Sequence, residues 1–194
     1  MGAGQGRTRR ASAKGTASPD LIITVNTIKS SGGPAKLAFQ GLDDDGYVKE
    51  SWRDEQYEQH RDNDEPAFTT HSRDGKTLRS QEWYQHGLLD REGKPAQIFY
   101  NSDGLLRERR YCKDGKRHRE DGPARITYRP DGSELLEEYY EDGALHREDG
   151  PARIRYAPDG SAEAEEYWLR NKEVKRNALP KLLVTPPAVD KVLF

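Results

Sequence analysis

The stretch "HREDGPARI" occupies residues 118–126 and returns letter for letter at 146–154. It holds a histidine, two acids, two arginines, a Gly-Pro step and an aliphatic residue. Such a string reads either as a catalytic or metal-binding group used twice, or as the joint of a repeating scaffold. The residues around it decide between the two. Pro-Ala recurs at Pro34, Pro66, Pro95, Pro123 and Pro151, spaced by 32, 29, 28 and 28 residues. A fixed period of this size is the mark of a repeat architecture.

Other positions keep the same step. Three residues after each proline stand Leu37, Thr69, Ile98, Ile126 and Ile154, and five after it Phe39, His71, Tyr100, Tyr128 and Tyr156. Asp-Gly follows at eight, giving Gly75, Gly104, Gly132 and Gly160. An aromatic or bulky pair comes next (Trp83-Tyr84, Tyr111-Cys112, Tyr139-Tyr140, Tyr167-Trp168), then a second turn at His86-Gly87, Asp114-Gly115 and Asp142-Gly143. Each unit therefore reads strand, turn, strand, turn. In "ARITY", Ala124, Ile126 and Tyr128 face one way, and Arg125 and Thr127 the other, which is the period of a strand. Asp-Gly between two such runs signals a hairpin, because glycine takes positive φ without a Cβ clash.

The expected fold is all-β: an elongated antiparallel meander of about five hairpin units. One face carries Ile, Leu, Tyr and Trp, and the other Arg, Glu and Thr in cross-strand pairs. The chain divides into a basic, disordered tail at 1–19, a β-branched capping strand within 20–32, the repeats at 33–172, and a Pro-broken apolar cap or docking tail at 173–194. The structural positions of the repeat are Pro95, Pro123 and Pro151, Gly104, Gly132 and Gly160, Tyr100, Tyr128 and Tyr156, and His118 and His146.

The form "H-R-x-D-G-P-A" followed by "Y-x-x-D-G" resembles a variant of the MORN repeat. Residues 118–156 carry the resemblance most closely and 33–172 loosely; the first two units depart from it, with "DNDEPA" for Gly-Pro and His71 for the strand tyrosine. The resemblance implies tandem antiparallel hairpins without catalytic residues common to the family. Some bacterial members are described as antitoxin-like, and other MORN proteins serve as scaffolds, some proposed to touch membranes.

Composition narrows the function classes. Of 194 residues, 32% are hydrophobic and 34% charged, with a mean hydropathy of −1.09. A thick two-layer core needs more apolar residues. Seventeen aromatics at regular spacing argue against full disorder. Residues 1–18 carry four basic side chains and no acid, and residues 169–194 six basic and two acidic, so a net charge of −2 leaves the middle at −10. An acidic body disfavours nucleic acid. No apolar run reaches membrane-spanning length, and the lone Cys112 suits the reducing cytoplasm.

His118, Glu120 and Asp121, with their copies His146, Glu148 and Asp149, are residue types used for acid-base and metal chemistry. A site is usually built once from differing residues that converge; copies 28 residues apart fit turn chemistry better. No catalytic, cofactor-binding or metal-ligating residue is expected, and no cofactor. The sequence points to a non-enzymatic scaffold that binds another protein and not a small-molecule substrate. The candidate contacts are Arg125, Thr127, Arg153 and Arg155, which differ between otherwise copied units. The alternatives are a metal-binding or hydrolytic enzyme working through the His/Asp/Glu turns, and a membrane-associated scaffold.

Overall fold

The computed structural model describes residues 36–179. The first unit supplies β1 (Lys36–Leu42) and β2 (Val48–Arg53). The second gives β3 (Phe68–His71) and β4 (Leu78–Glu82), then a small hairpin of β5 (Tyr84–Gln85) and β6 (Leu88–Leu89). The third repeats this with β7 (Gln97–Tyr100), β8 (Leu106–Arg110), β9 (Cys112–Lys113) and β10 (Lys116–Arg117). The fourth follows with β11 (Arg125–Tyr128), β12 (Glu134–Glu138), β13 (Tyr140–Glu141) and β14 (Ala144–Leu145). The fifth ends in β15 (Arg153–Tyr156), β16 (Ala162–Leu169) and β17 (Lys172–Val174). The main strands form one antiparallel eleven-stranded sheet in chain order, and the short pairs form three separate hairpins. Ten inter-strand steps of about 4.8 Å make the sheet about 48 Å across. The expected capping strand at 20–28, the basic tail, and the apolar segment from 180 onward lie outside the described residues. The last strand of the sheet ends at Val174.

The all-β hairpin reading is correct, but in the second, third and fourth units the second turn does not join two strands of the main sheet. It is the tip of a satellite hairpin, and the chain then returns through the "HREDGP" loop. The two Asp-Gly turns of a unit also differ in geometry. In the main hairpin only Gly132 takes positive φ, at 86°. Arg129 N–H donates to the Ser133 carbonyl (2.8 Å), closing a three-residue Pro-Asp-Gly loop, and Asp131 Oδ1 accepts the Ser133 N–H at 2.9 Å. In the satellite both Asp142 (49°) and Gly143 (84°) are left-handed. That is a two-residue type I′ turn, whose twist matches only its own short arms. The last unit builds the same turn from Arg170 and Asn171; asparagine tolerates this conformation better than most residues.

Satellite hairpins dock on one another. Gly143 N–H donates to the Arg117 carbonyl (2.8 Å), Gly115 N–H to that of Leu89 (2.9 Å), and Asn171 N–H to that of Leu145 (3.0 Å). A side chain of the preceding unit then accepts the neighbouring N–H. His118 Nδ1 takes that of Asp142 (3.2 Å), His146 Nδ1 that of Arg170 (3.3 Å), and Asp90 Oδ2 that of Asp114 (2.8 Å). Histidine and aspartate are interchangeable here because the position needs an acceptor.

The loop arginine holds the return path. Arg91, Arg119 and Arg147 lie 3.7, 4.0 and 4.0 Å from the ring centres of Trp83, Tyr111 and Tyr139. Each also donates to the carbonyl of the proline four residues on, Pro95, Pro123 or Pro151. Arg61 repeats the pattern on Trp52 and Pro66. The alanines that follow, Ala67, Ala96, Ala124 and Ala152, are wholly buried. Their carbonyls accept the N–H of the same four aromatics at 2.7–2.8 Å, so each aromatic is pinned from backbone and ring face together. Removing one clamp as Arg147→Ala is expected to cost about 1–2 kcal/mol, the sum of a partly desolvated cation–π contact and one charge-assisted hydrogen bond. Arg147→Lys recovers less than half, because an ammonium cannot stack flat on the ring. Urea unfolding of the three proteins measures both values.

Candidate functional site

Antiparallel register puts residue 125 opposite 138 and 110, and 138 opposite 153. The Arg/Glu/Thr face, read from the sequence as the outward one that varies between units, carries the cross-strand pairs expected of it, and they join into one continuous, partly buried polar ladder. Gln97 Nε2 donates to Glu82 (2.9 Å) and Arg110 to Gln97 (3.5 Å). Arg110 Nε and Arg125 Nε share Glu108 Oε1 at 2.6 Å each. Arg125 reaches on to Glu138 (2.9 Å), and Arg153 joins Glu138 (2.8 Å) to Glu166 (2.9 Å). The chain of contacts crosses every strand from β4 to β16 that belongs to the main sheet.

The second residue of each aromatic pair closes over this ladder. Tyr84 and Tyr140 hydroxyls donate to Glu82 (3.0 Å) and Glu138 (3.4 Å), and Trp168 Nε1 to Glu166 (3.0 Å). Where β8 carries Arg110 instead of an acid, the covering residue is Cys112. Glu138 and Glu108 are buried, at 2% and 5% exposure. Burial pushes the Glu138 carboxyl up, but hydrogen bonds from Arg125 and Arg153 outweigh it and hold the group below its ordinary range. Glu108 is lowered in the same way by Arg125 and Arg110. Burial also pushes the Cys112 thiol up to about 11, which leaves it protonated and a poor nucleophile at neutral pH.

Of the four candidate contacts, Arg125 and Arg153 are therefore engaged within the ladder. Thr127 is half-buried, and Arg155 is exposed. The opposite face carries the Ile98, Ile126 and Ile154 row. Its tyrosines are tied to a position that changes charge from unit to unit: Tyr100 donates to Gln81 (3.1 Å), Arg109 lies over Tyr128 (5.5 Å), and Tyr156 donates to Glu137 (2.9 Å). Gly104, Gly132 and Gly160 close the main hairpins at φ of 80–86°.

The clefts lie elsewhere, between successive return loops. Three in register, of about 470, 550 and 660 Å³, separate the loops beginning at His60, Asp90, His118 and His146. Their lining includes the loop arginines Arg91, Arg119 and Arg147, each held by its aromatic stack. Their rims carry exposed acids, with the Glu120 and Glu148 side chains 78% and 62% open. In the third cleft Glu120, Asp121, Glu141, Glu148 and Asp149 outnumber Arg119, Arg147 and Arg170. One further group of donor side chains, Asp54, Glu58 and His86, comes together at the first junction between units. The sequence reading passed over it because its members belong to different units. The available signal was a satellite turn one residue longer in the first unit, with an acid near each end.

Compared with known proteins, the chain matches no family model, no curated protein and no solved structure.

The ladder predicts a sign for acid denaturation. Carboxylates whose folded pKa is depressed stabilise the fold above their unfolded value, and that stability is lost as pH falls through the folded value. Stability is expected to drop steeply below about pH 4, the ordinary carboxylate range. In Glu138→Gln the protein is less stable at pH 7, and its acid-side slope is shallower. Urea midpoints at pH 7, 4 and 3 for both proteins check this.

Proposed function

We propose that the protein is a non-enzymatic repeat scaffold that binds another protein along the row of clefts between its return loops. The observation carrying this reading is the recurrence of one cleft three times in register, each lined by a loop arginine stacked on an aromatic ring and by exposed acids. An enzyme concentrates its shifted ionisable groups in one cleft; here they are dispersed, with Glu108 and Glu138 in the sheet ladder, each neutralised by two arginines, and Asp64 of the first cleft held low by Arg91 and Lys94. A repeated, mildly acidic rim suits an extended partner presenting Lys or Arg at a matching pitch, and it repels nucleic acid. No helix among the described residues is long and apolar enough to cross a membrane. The resemblance of residues 33–172 to the MORN variant agrees with a scaffold role. One unpaired cysteine suits the cytoplasm.

The test is affinity capture from native lysate with the full chain and with a Glu92→Lys/Glu120→Lys/Glu148→Lys variant. These exposed rim residues lie outside the sheet ladder, so the variant is expected to fold. The wild-type chain is expected to retain a specific protein that moderate salt elutes and the triple variant loses. Equal capture by both proteins, or a partner insensitive to salt, would place the binding surface elsewhere.

A further inference from the structure

We propose that Asp54, Glu58 and His86 bind a single first-row divalent cation, of the Zn2+ class, at the junction of the first two units. One ligand atom from each lies within 4.8 Å of the other two. Two carboxylate oxygens and one imidazole nitrogen are a donor set suited to such ions, and three protein donors leave coordination positions for solvent.

The geometry is prepared by the fold. The Asp54 side chain is 93% buried, with 7% exposure. Its Oδ1 accepts the backbone N–H groups of Gln56 (3.0 Å) and Glu58 (2.9 Å), which fixes the carboxylate and leaves Oδ2 to face His86. His86 Nδ1 stands 3.0 Å from that oxygen. Metal–ligand bonds of about 2.0–2.2 Å put neighbouring donors only slightly farther apart than this, so an ion replaces the proton between Asp54 and His86 with little movement, and the exposed Glu58 side chain closes the remaining distance. Glu58 is brought in by the next unit's turn: its side chain runs past Gly87, where a Cβ would lie 3.6 Å from it. The His86 ring is steadied by parallel stacking on His60, at 4.6 Å between centres and 9° between planes.

Among the described residues the set occurs once. At the later junctions the positions corresponding to Asp54, Glu58 and His86 are Gln85, Leu88 and Asp114, then Lys113, Lys116 and Asp142, then Glu141, Ala144 and Arg170. The repeated histidines, His118 and His146, cap turns and are not part of it. Differing residues from two units converge here, which is how sites are built.

Calorimetric titration of the untagged full chain with Zn2+ at pH 7.5 tests the proposal. One equivalent is expected to bind in the micromolar range and to raise the melting temperature, since an ion bound only by the folded state stabilises it. His86→Asn keeps a residue that tolerates the left-handed turn, and Glu58→Gln changes an exposed side chain, so both are expected to fold. Each is expected to weaken binding at least about tenfold and to abolish the thermal shift. His118→Ala and His146→Ala leave both unchanged. No heat and no thermal shift at saturating Zn2+, unchanged binding in His86→Asn or Glu58→Gln, or loss in His118→Ala would each overturn the assignment.

Discussion

The Glu138 carboxylate, held between Arg125 of its own unit and Arg153 of the next, is the contact on which the sheet depends. A single layer of short strands has no opposing layer to bury against. Among the described residues no large side chain is fully enclosed; the wholly buried positions belong to alanines. Cohesion across the sheet therefore falls to backbone pairing and to side chains that bridge strands. A buried ion pair is costly where both charges lose their water. Here the acid is buried while both arginines stay partly solvated, so desolvation falls mainly on one group. The planar guanidinium also suits the task, since its fork donates to two acids on opposite sides. Lysine would offer a point charge and no such bridge.

The same logic accounts for most residues of the copied stretch. Histidine accepts the next unit's turn N–H, arginine stacks on the aromatic and ties down the proline carbonyl, and glutamate lines the cleft rim. Alanine is wholly buried, and its carbonyl accepts the backbone N–H of that aromatic. The second arginine enters the ladder, and isoleucine faces the other side. The letter-for-letter copy at 118–126 and 146–154 reflects several independent packing constraints on one joint.

Period, hairpins and strand content were legible because each is set locally, by alternation and by glycines at positive φ. Two features were not. The Asp-Gly dipeptide looks the same at residues 131–132 and 142–143, yet it makes a three-residue loop in one place and a two-residue turn in the other; Pro130 and Ser133 distinguish the first only in hindsight. The charged face looked outward because Arg and Glu usually are. Its burial comes from Tyr84, Tyr140 and Trp168 folding over it, which no strand pattern encodes. The Asp54–Glu58–His86 group was illegible for a further reason: it exists only once two units are set in register. The copies diverge most at that junction and at the charge-changing position of Gln81, Arg109 and Glu137, while the cleft rims repeat.

A double-mutant cycle between Glu138→Gln and Arg153→Met, read by urea unfolding at pH 7, tests the ladder most directly. If the ladder joins the units, the two residues couple by about 1–3 kcal/mol, as contacting members of one network do. A coupling under about 0.5 kcal/mol, the value of an exposed surface pair, would contradict it and leave backbone pairing alone to hold the sheet together.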